Sequence, residues 1–378
     1  MSDKPFSSEI DRTRRGLLAA AASVGVAASV SQVSGATLSA NGFKPGFDLA
    51  EALDVLQMCE VIEDGPPTPP VAPTGWSIIY DSPQLPVFDN KWQLWKKSDG
   101  TYAIIVRGTV ETVGSAAEDL LSVLIKADDK LTVGSLTLPY KFANATDAAV
   151  HAGFALGALL ILKTPIVGVF DQLKKLGAPA GTRFLIGGHS QGAAVATLIR
   201  SYLNYGVDSP QGNCYKTYLF AQPKPGNDHY ACDFENLFSN PGLAFRLTNS
   251  IDWVPQVPFT LQIPNDVSKP NPLFPDAVGI ALNNFQVQVG QLLAAQQSAR
   301  LQKGAAAAMR TKFSQVTDTT AIKIPLVFSL NFTGAGTEVA LIGKPCNPLV
   351  DQCDYWFQHH LTTYEALMKA QLKPVPVV

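Results

Sequence analysis

Short apolar runs alternate with helix-period patterns through the middle of this chain. Residues 76–80, 91–96 and 101–106 read as successive strands, the first two joined by a proline-containing loop and the last two by a Ser98-Asp99-Gly100 turn. Beyond them, 154–176 carries helical spacing apart from Pro165, 184–187 reads as a buried strand, and 193–203 as a helix rich in small residues. Further strands are predicted at 217–221 and 243–248, and a C-terminal helix at 361–371. Upstream, Leu49, Leu53, Leu56 and Ile62 recur at helical spacing within 47–63. The proline-rich run 65–73 that follows excludes helix and sheet. Alternation of this kind predicts an α/β fold, a mainly parallel sheet with helices on both faces. Catalytic residues of such folds sit at the carboxyl ends of strands.

One of those strand ends carries chemistry. Gly188-His189-Ser190-Gln191-Gly192 lies between the predicted strand at 184–187 and the predicted helix at 193–203. Strand, Gly-x-Ser-x-Gly, helix is the pattern of a nucleophile elbow. The glycines keep Cβ atoms out of the crowded turn. Ser190 then meets the N-terminus of a helix, where backbone N–H groups favour developing negative charge.

Composition narrows the class. The 378 residues suffice for one large catalytic domain or two small ones, and 46% hydrophobic against 16% charged residues allows a sizeable core. A net charge of −2 gives no electrostatic case for nucleic acid or an anionic membrane. Thr13-Arg14-Arg15-Gly16-Leu17-Leu18, a modestly apolar stretch to Val33 and the small residues Ser34-Gly35-Ala36 read as a cleavable export signal of twin-arginine type. An ordinary secretory signal is the alternative, and either predicts a periplasmic or secreted protein. The stretch is too short and too polar to be a stable transmembrane span. The expected organisation is an export signal over 1–36, an N-terminal helix and proline-rich linker over 37–75, and a catalytic domain over 76–378 with an insertion at 259–350. That insertion is expected to hold a helix over 278–313, with a break at Gly290 or Gly304, and β-structure at 322–332 and 338–342.

Export permits disulfides among the five cysteines. Cys346–Cys353 would close a short loop, Cys214–Cys232 would staple the segment after the elbow, and Cys59 would stay free. Neither cysteine spacing nor the histidines suggest a zinc site.

A serine nucleophile needs a histidine base, itself oriented by a carboxylate. There are five histidines, and the chain order Ser, acid, His of this fold excludes His151 and His189. His229 follows the elbow helix too soon, which leaves His359 and His360. Asp252, just past the predicted strand at 243–248, is the best-placed acid; Asp228 competes, although Asp is also a common turn residue.

These residues resemble those of the class 3 lipases, α/β-hydrolases typified by fungal triacylglycerol lipases, and suggest an exported bacterial member. Ile105-Val106-Arg107-Gly108-Thr109 resembles the family's strand ending in Arg-Gly-Thr/Ser, and Val150-His151-Ala152-Gly153-Phe154 its Val-His-x-Gly-Phe. Phe220-Ala221-Gln222-Pro223-Lys224-Pro225-Gly226-Asn227 resembles Phe-Gly-x-Pro-Arg-x-Gly-Asn, with Ala221-Gln222 and Lys224 as departures. Residues 249–258 resemble Asn-x-x-Asp-x-Val-Pro-x-x-Pro, and His359-His360-Leu361-Thr362-Thr363-Tyr364 a His-x-Leu/Met-x-x-Tyr ending. The resemblance implies Ser190 as nucleophile, Asp252 as acid and His359 as base, with His360 as the alternative where leucine directly follows the histidine. It implies an oxyanion hole from the Gln191 backbone N–H and Thr109. Each such donor contributes about 3 kcal/mol to transition-state stabilisation.

Residues 116–127 have an apolar and a charged face and are expected to form either part of a lid or a helix packed on the sheet. The expected activity is hydrolysis of lipid esters, foremost triacylglycerol, with no metal or organic cofactor needed. A phospholipase or short-chain carboxylesterase is the nearest alternative. A non-catalytic binding protein on the same scaffold is the alternative of a different class. The expected partner is a lipid or ester substrate, met at a lipid–water interface or in solution.

Overall fold

A computed structural model describes residues 42–63, 71–85, 89–108, 123–133, 136–262, 266, 322–323, 325–327, 329–349, 351, 353–354 and 356–372. The expected export signal, residues 109–122 and the helix expected at 278–313 lie outside them.

In chain order the elements begin with α1 (Leu49–Ile62), β1 (Trp76–Asp81), β2 (Trp92–Lys97) and β3 (Tyr102–Val106). Then come β4 (Leu124–Lys126), β5 (Asp128–Val133), β6 (Leu136–Lys141), β7 (Ala149–His151), α2 (Ala152–Lys163) and α3 (Val169–Leu176). The elbow region follows as β8 (Arg183–His189), α4 (Gln191–Tyr205), β9 (Cys214–Phe220), α5 (Asp228–Phe234) and β10 (Ala244–Asn249). The last elements are β11 (Ile322–Lys323), β12 (Leu326–Val327), β13 (Thr337–Leu341) and α6 (Leu361–Gln371).

The central sheet has seven strands in the order β1-β2-β3-β8-β9-β10-β13. β1, β2 and β3 pair antiparallel, and from β3 onward every pairing is parallel. This is the α/β-hydrolase fold, a mixed sheet whose site-bearing half is parallel. Successive side chains along its strands enter opposite cores, because a strand repeats every two residues. Ile104, Val106, Phe184, Ile186 and Leu219 face one cluster with Val195, Leu198 and Ile199 of α4. Ala103, Ile105, Leu185, Tyr218 and Phe220 face the other, with α1 and α6. Burial on both faces explains why β8 reads as a continuous apolar run rather than an alternating one.

α1 belongs to this second layer. Asp48 caps it by accepting from the Ala50 and Glu51 N–H groups at 2.9 and 3.1 Å, an arrangement that contributes about 1 kcal/mol. Val55, Leu56, Met58 and Ile62 are buried against the sheet, at about 1.5–3 kcal/mol for each large aliphatic side chain. The helix expected over 154–176 is two helices: Thr164 turns extended ahead of Pro165, where a proline excludes helical backbone from its predecessor.

Two expectations are corrected. The C-terminal end of the proposed lid helix, 123–127, is not helical: it contains β4, paired antiparallel with β7 and β12. Val123, Leu124 and Ile125 are buried there, and the β-branched residues suit a strand that packs on both sides. β5 and β6 form a hairpin that was not foreseen, and β11, within the β-structure expected at 322–332, pairs with β5. The second correction concerns Cys214 and Cys232, which are unpaired with each other. Cys214 opens β9, whereas Cys232 is exposed on α5, beyond the opposite end of that strand. Cys346 and Cys353 do form a disulfide, and Cys59 is free and buried.

Candidate active site

Ser190 stands between the last residue of β8 and the first of α4, with φ 55° and ψ −133°. A non-glycine residue in such a region costs on the order of 1–3 kcal/mol and persists only where its surroundings over-determine it. Here β8 is paired on both edges up to the turn, His189 lying opposite Phe220, and the Ser190 N–H donates to the Phe220 carbonyl at 3.0 Å. On the other side, the Ala193 N–H donates to the Ser190 carbonyl at 2.9 Å and starts the helix. The glycines are a matter of space. A Cβ on Gly188 would strike the Gly192 backbone, and one on Gly192 the Val106 and Arg107 carbonyls.

Asp252 follows β10, the strand two positions along the sheet from β8, and His359 ends a short 3-10 turn, Phe357–His359, before α6. The fold brings both to Ser190. His359 Nε2 lies 2.9 Å from Ser190 Oγ, and His359 Nδ1 lies 2.9 Å from Asp252 Oδ2. Asp252 is 2% exposed and His359 8%, so this pair is nearly dry. The other oxygen, Asp252 Oδ1, accepts from the Val254 N–H at 3.0 Å, and Oδ2 accepts also from the Tyr364 hydroxyl at 2.9 Å. With these donors in place the buried carboxylate is fully hydrogen-bonded, as burial requires.

His360 lies apart from the serine. Its Nε2 stands 3.3 Å from Asp354 Oδ2, and it occupies the position before α6. Asp228 is not part of the group either, since it opens α5 and accepts from the Asn331 side chain at 2.7 Å. Gln191 is the first residue of α4, where backbone N–H groups lack partners within the helix. Thr109 lies outside the described residues, just beyond Gly108.

Electrostatics favours a neutral His359 ring. Burial lowers the affinity of His359 for a proton, and the neighbouring His189 lowers it further; Asp252 opposes both without reversing them. Burial also raises the Tyr364 hydroxyl well above the ordinary tyrosine range, so it donates as a phenol at any working pH. At the rim, Trp253 and Trp356 pack with ring centroids 5.2 Å apart, each 44% exposed, and Trp356 lies 5.8 Å from the His359 ring. Among the described residues, no group of three or more His, Cys, Asp or Glu side chains is arranged to hold a metal ion.

Three residues at the site were missed as functional groups in the sequence. Tyr364 enters there only as part of a motif, with no hint that its hydroxyl reaches the acid. His189 is adjacent to the serine, yet only the folded chain shows both its ring nitrogens in use, one 2.8 Å from Glu63 Oε1 and the other 2.9 Å from the His359 carbonyl. Glu63, at the end of α1, carries no local signal at all.

A serine in a strained strand–helix turn, backed by histidine and aspartate on a largely parallel sheet, defines the α/β-hydrolase class. Residues 103–262, less than half of the chain, match the family of lipases designated class 3, and the chain is a serine ester hydrolase. The chain is similar to a solved fungal lipase–inhibitor complex, at 20% identity over 56% of this chain and 72% of that one, with a TM-score of 0.40. M37 lipase is similar at 17% identity over 85% and 91% of the two chains, with a TM-score of 0.45. Lip2 lipase from Yarrowia lipolytica is similar at 17% identity over 58% and 77%, with a TM-score of 0.40. No curated relative matches the sequence.

Proposed function

We propose that the protein is an exported lipase that cleaves triacylglycerol through an acyl-enzyme on Ser190. The observation that carries this reading is the unbroken chain of contacts from Ser190 Oγ through His359 to Asp252, at 2.9 Å in each step. In the resting site the Ser190 hydroxyl donates to His359 Nε2, and His359 Nδ1–H donates to Asp252. As Ser190 Oγ attacks the ester carbonyl, His359 takes the serine proton and becomes an imidazolium that Asp252 stabilises. The carbonyl oxygen becomes an oxyanion beside the N-terminus of α4, where the Gln191 N–H would meet it; Thr109 would supply the second donor. His359 then gives its proton to the leaving alcohol, and the same residue activates water to release the fatty acid. The twin-arginine-like segment at 13–18 is what supports export.

Fatty-acid release from an emulsified long-chain triacylglycerol and from a soluble short-chain ester tests the reading, with Ser190→Ala as control. Activity on the emulsion, lost in the variant, is the expected result. Activity on the soluble ester alone would make the protein a carboxylesterase, and activity on phospholipid vesicles alone a phospholipase. Silence on all three, with no labelling by a serine-directed phosphonate, would leave the binding-protein alternative.

A further inference from the structure

A second histidine–carboxylate pair lies behind the first. The His189 ring packs against the His359 ring with centroids 4.5 Å apart. Its Nε2 is 2.9 Å from the His359 backbone carbonyl, and its Nδ1 is 2.8 Å from Glu63 Oε1. His189 is 5% exposed. A carbonyl oxygen only accepts, and an ionised carboxylate only accepts. Both ring nitrogens of His189 must therefore donate, which they do together only in the imidazolium form. The fold thus packs a buried cation, paired with Glu63, at a tilt against the ring of the proposed base.

We propose that Glu63 and His189 are positioning residues for the base: they tether the His359 turn through its carbonyl and keep the His359 ring unprotonated by holding a positive charge against it. This rests on the reading of His359 as the base. A charge a few ångströms away in a buried site opposes a second charge strongly. Protonation of His359 before the reaction, which would disable it, is opposed down to a more acidic pH. Burial by itself would push His189 down, but the Glu63 carboxylate, the His359 carbonyl and Asp252 together outweigh it and raise the ring above the ordinary histidine value, in agreement with the hydrogen-bond count.

Other charges act on the pair as well: Asp252 also favours the His189 cation, while Asp252 and Glu63 favour a proton on His359 without reversing its net downward direction. On α1, Glu60 is pushed up to about 7, by burial first and by Glu365 and Glu63 next, so it is largely neutral in acid. On α6, Tyr364 is a phenol 6.3 Å from the His189 ring, and Glu365 and Lys369 pair with each other at 2.7 Å. Asp252 faces the opposite edge of His359, and His360 is paired with Asp354.

Glu63→Gln separates charge from tether. A glutamine side chain can accept from or donate to His189 Nδ1, so the bond to the His359 carbonyl survives while the ring becomes neutral. The acid limb of kcat/KM on a soluble ester should then move to higher pH by about one unit, a shift typical of one lost neighbouring charge. Glu63→Asp, which keeps the carboxylate, should stay near the wild-type limb. The pH dependence of phosphonate labelling at Ser190, followed by intact mass, should move in parallel, and it reads the population that is folded. An unshifted limb in Glu63→Gln, or a shift to lower pH because the Glu63 charge itself dominates, would overturn the proposal. If Ser190→Ala hydrolysed the ester as fast as the wild type, the reading of the site itself would fail instead, which the same assay shows separately.

Discussion

The Tyr364 hydroxyl donates to Asp252 Oδ2 at 2.9 Å, the same oxygen that receives His359 Nδ1, and it accepts from the Asn249 N–H at 3.1 Å. One side chain from α6 therefore joins the end of β10 to the acid. Because Tyr364 and His359 sit on the same C-terminal segment, docking α6 onto the sheet delivers the His359 ring and the second donor to Asp252 together.

Tyr364→Phe should therefore lower both stability and turnover. A hydrogen bond to a charged group contributes about 1.5–3 kcal/mol, and the Asn249 N–H would lose its partner as well. The expected outcome is a loss of that order in urea unfolding, with kcat reduced about tenfold and KM little changed. Paired unfolding and steady-state measurements check it.

Ser190→Gly should abolish hydrolysis while stabilising the fold. At φ 55° and ψ −133° the serine backbone is strained, and glycine adopts that region freely. A gain of about 1 kcal/mol in unfolding free energy over Ser190→Ala, with both variants inactive, is the expected result.

The acid limb of kcat/KM should fall below the ordinary histidine pKa. As the proposed base, His359 would work only when neutral, and burial, then His189, hold its protonation down. Activity is thus retained as pH drops through the ordinary histidine range and is lost only where His359 itself gains a proton. A pH–rate profile on a soluble ester, with unfolding followed in parallel to exclude acid denaturation, measures this limb.

Reduction of Cys346–Cys353 should weaken the support of the His359 turn. The disulfide closes a loop ahead of the His359 turn, and Gln358 within that turn donates to the Lys344 carbonyl at 2.7 Å. Closing so short a loop is worth about 2 kcal/mol. Cys346→Ser should lose stability of that order, and alkylation of the wild type without reductant should label the exposed Cys232 in the folded chain and the buried Cys59 only on unfolding.

What was legible in the sequence is local. The period of apolar residues marks α1, the strands flanking the elbow and α6, because each repeats one burial pattern over several turns or pleats. The elbow is legible for the same reason: strand, glycines, serine and helix are contiguous, and the crowding that requires Gly188 and Gly192 acts within the turn and against the neighbouring strand end. The β4 segment misleads because its short apolar run, next to charged residues, fits a helical face as readily as a strand; its pairing with β7 and β12 decides the matter. The Cys214–Cys232 pairing misleads because closeness in sequence says nothing about which end of a strand each residue occupies.

The sequence by itself determined that a serine would be held at a strand–helix elbow and which few histidines and aspartates could serve it. Only the tertiary structure decided that His359, rather than its neighbour His360, faces Ser190, and that Glu63, His189 and Tyr364 surround the pair. The physical reason is range. An elbow is set by contacts within a few residues, whereas a buried hydrogen-bond network joins residues more than a hundred positions apart, which meet only when the sheet and its two helical layers close.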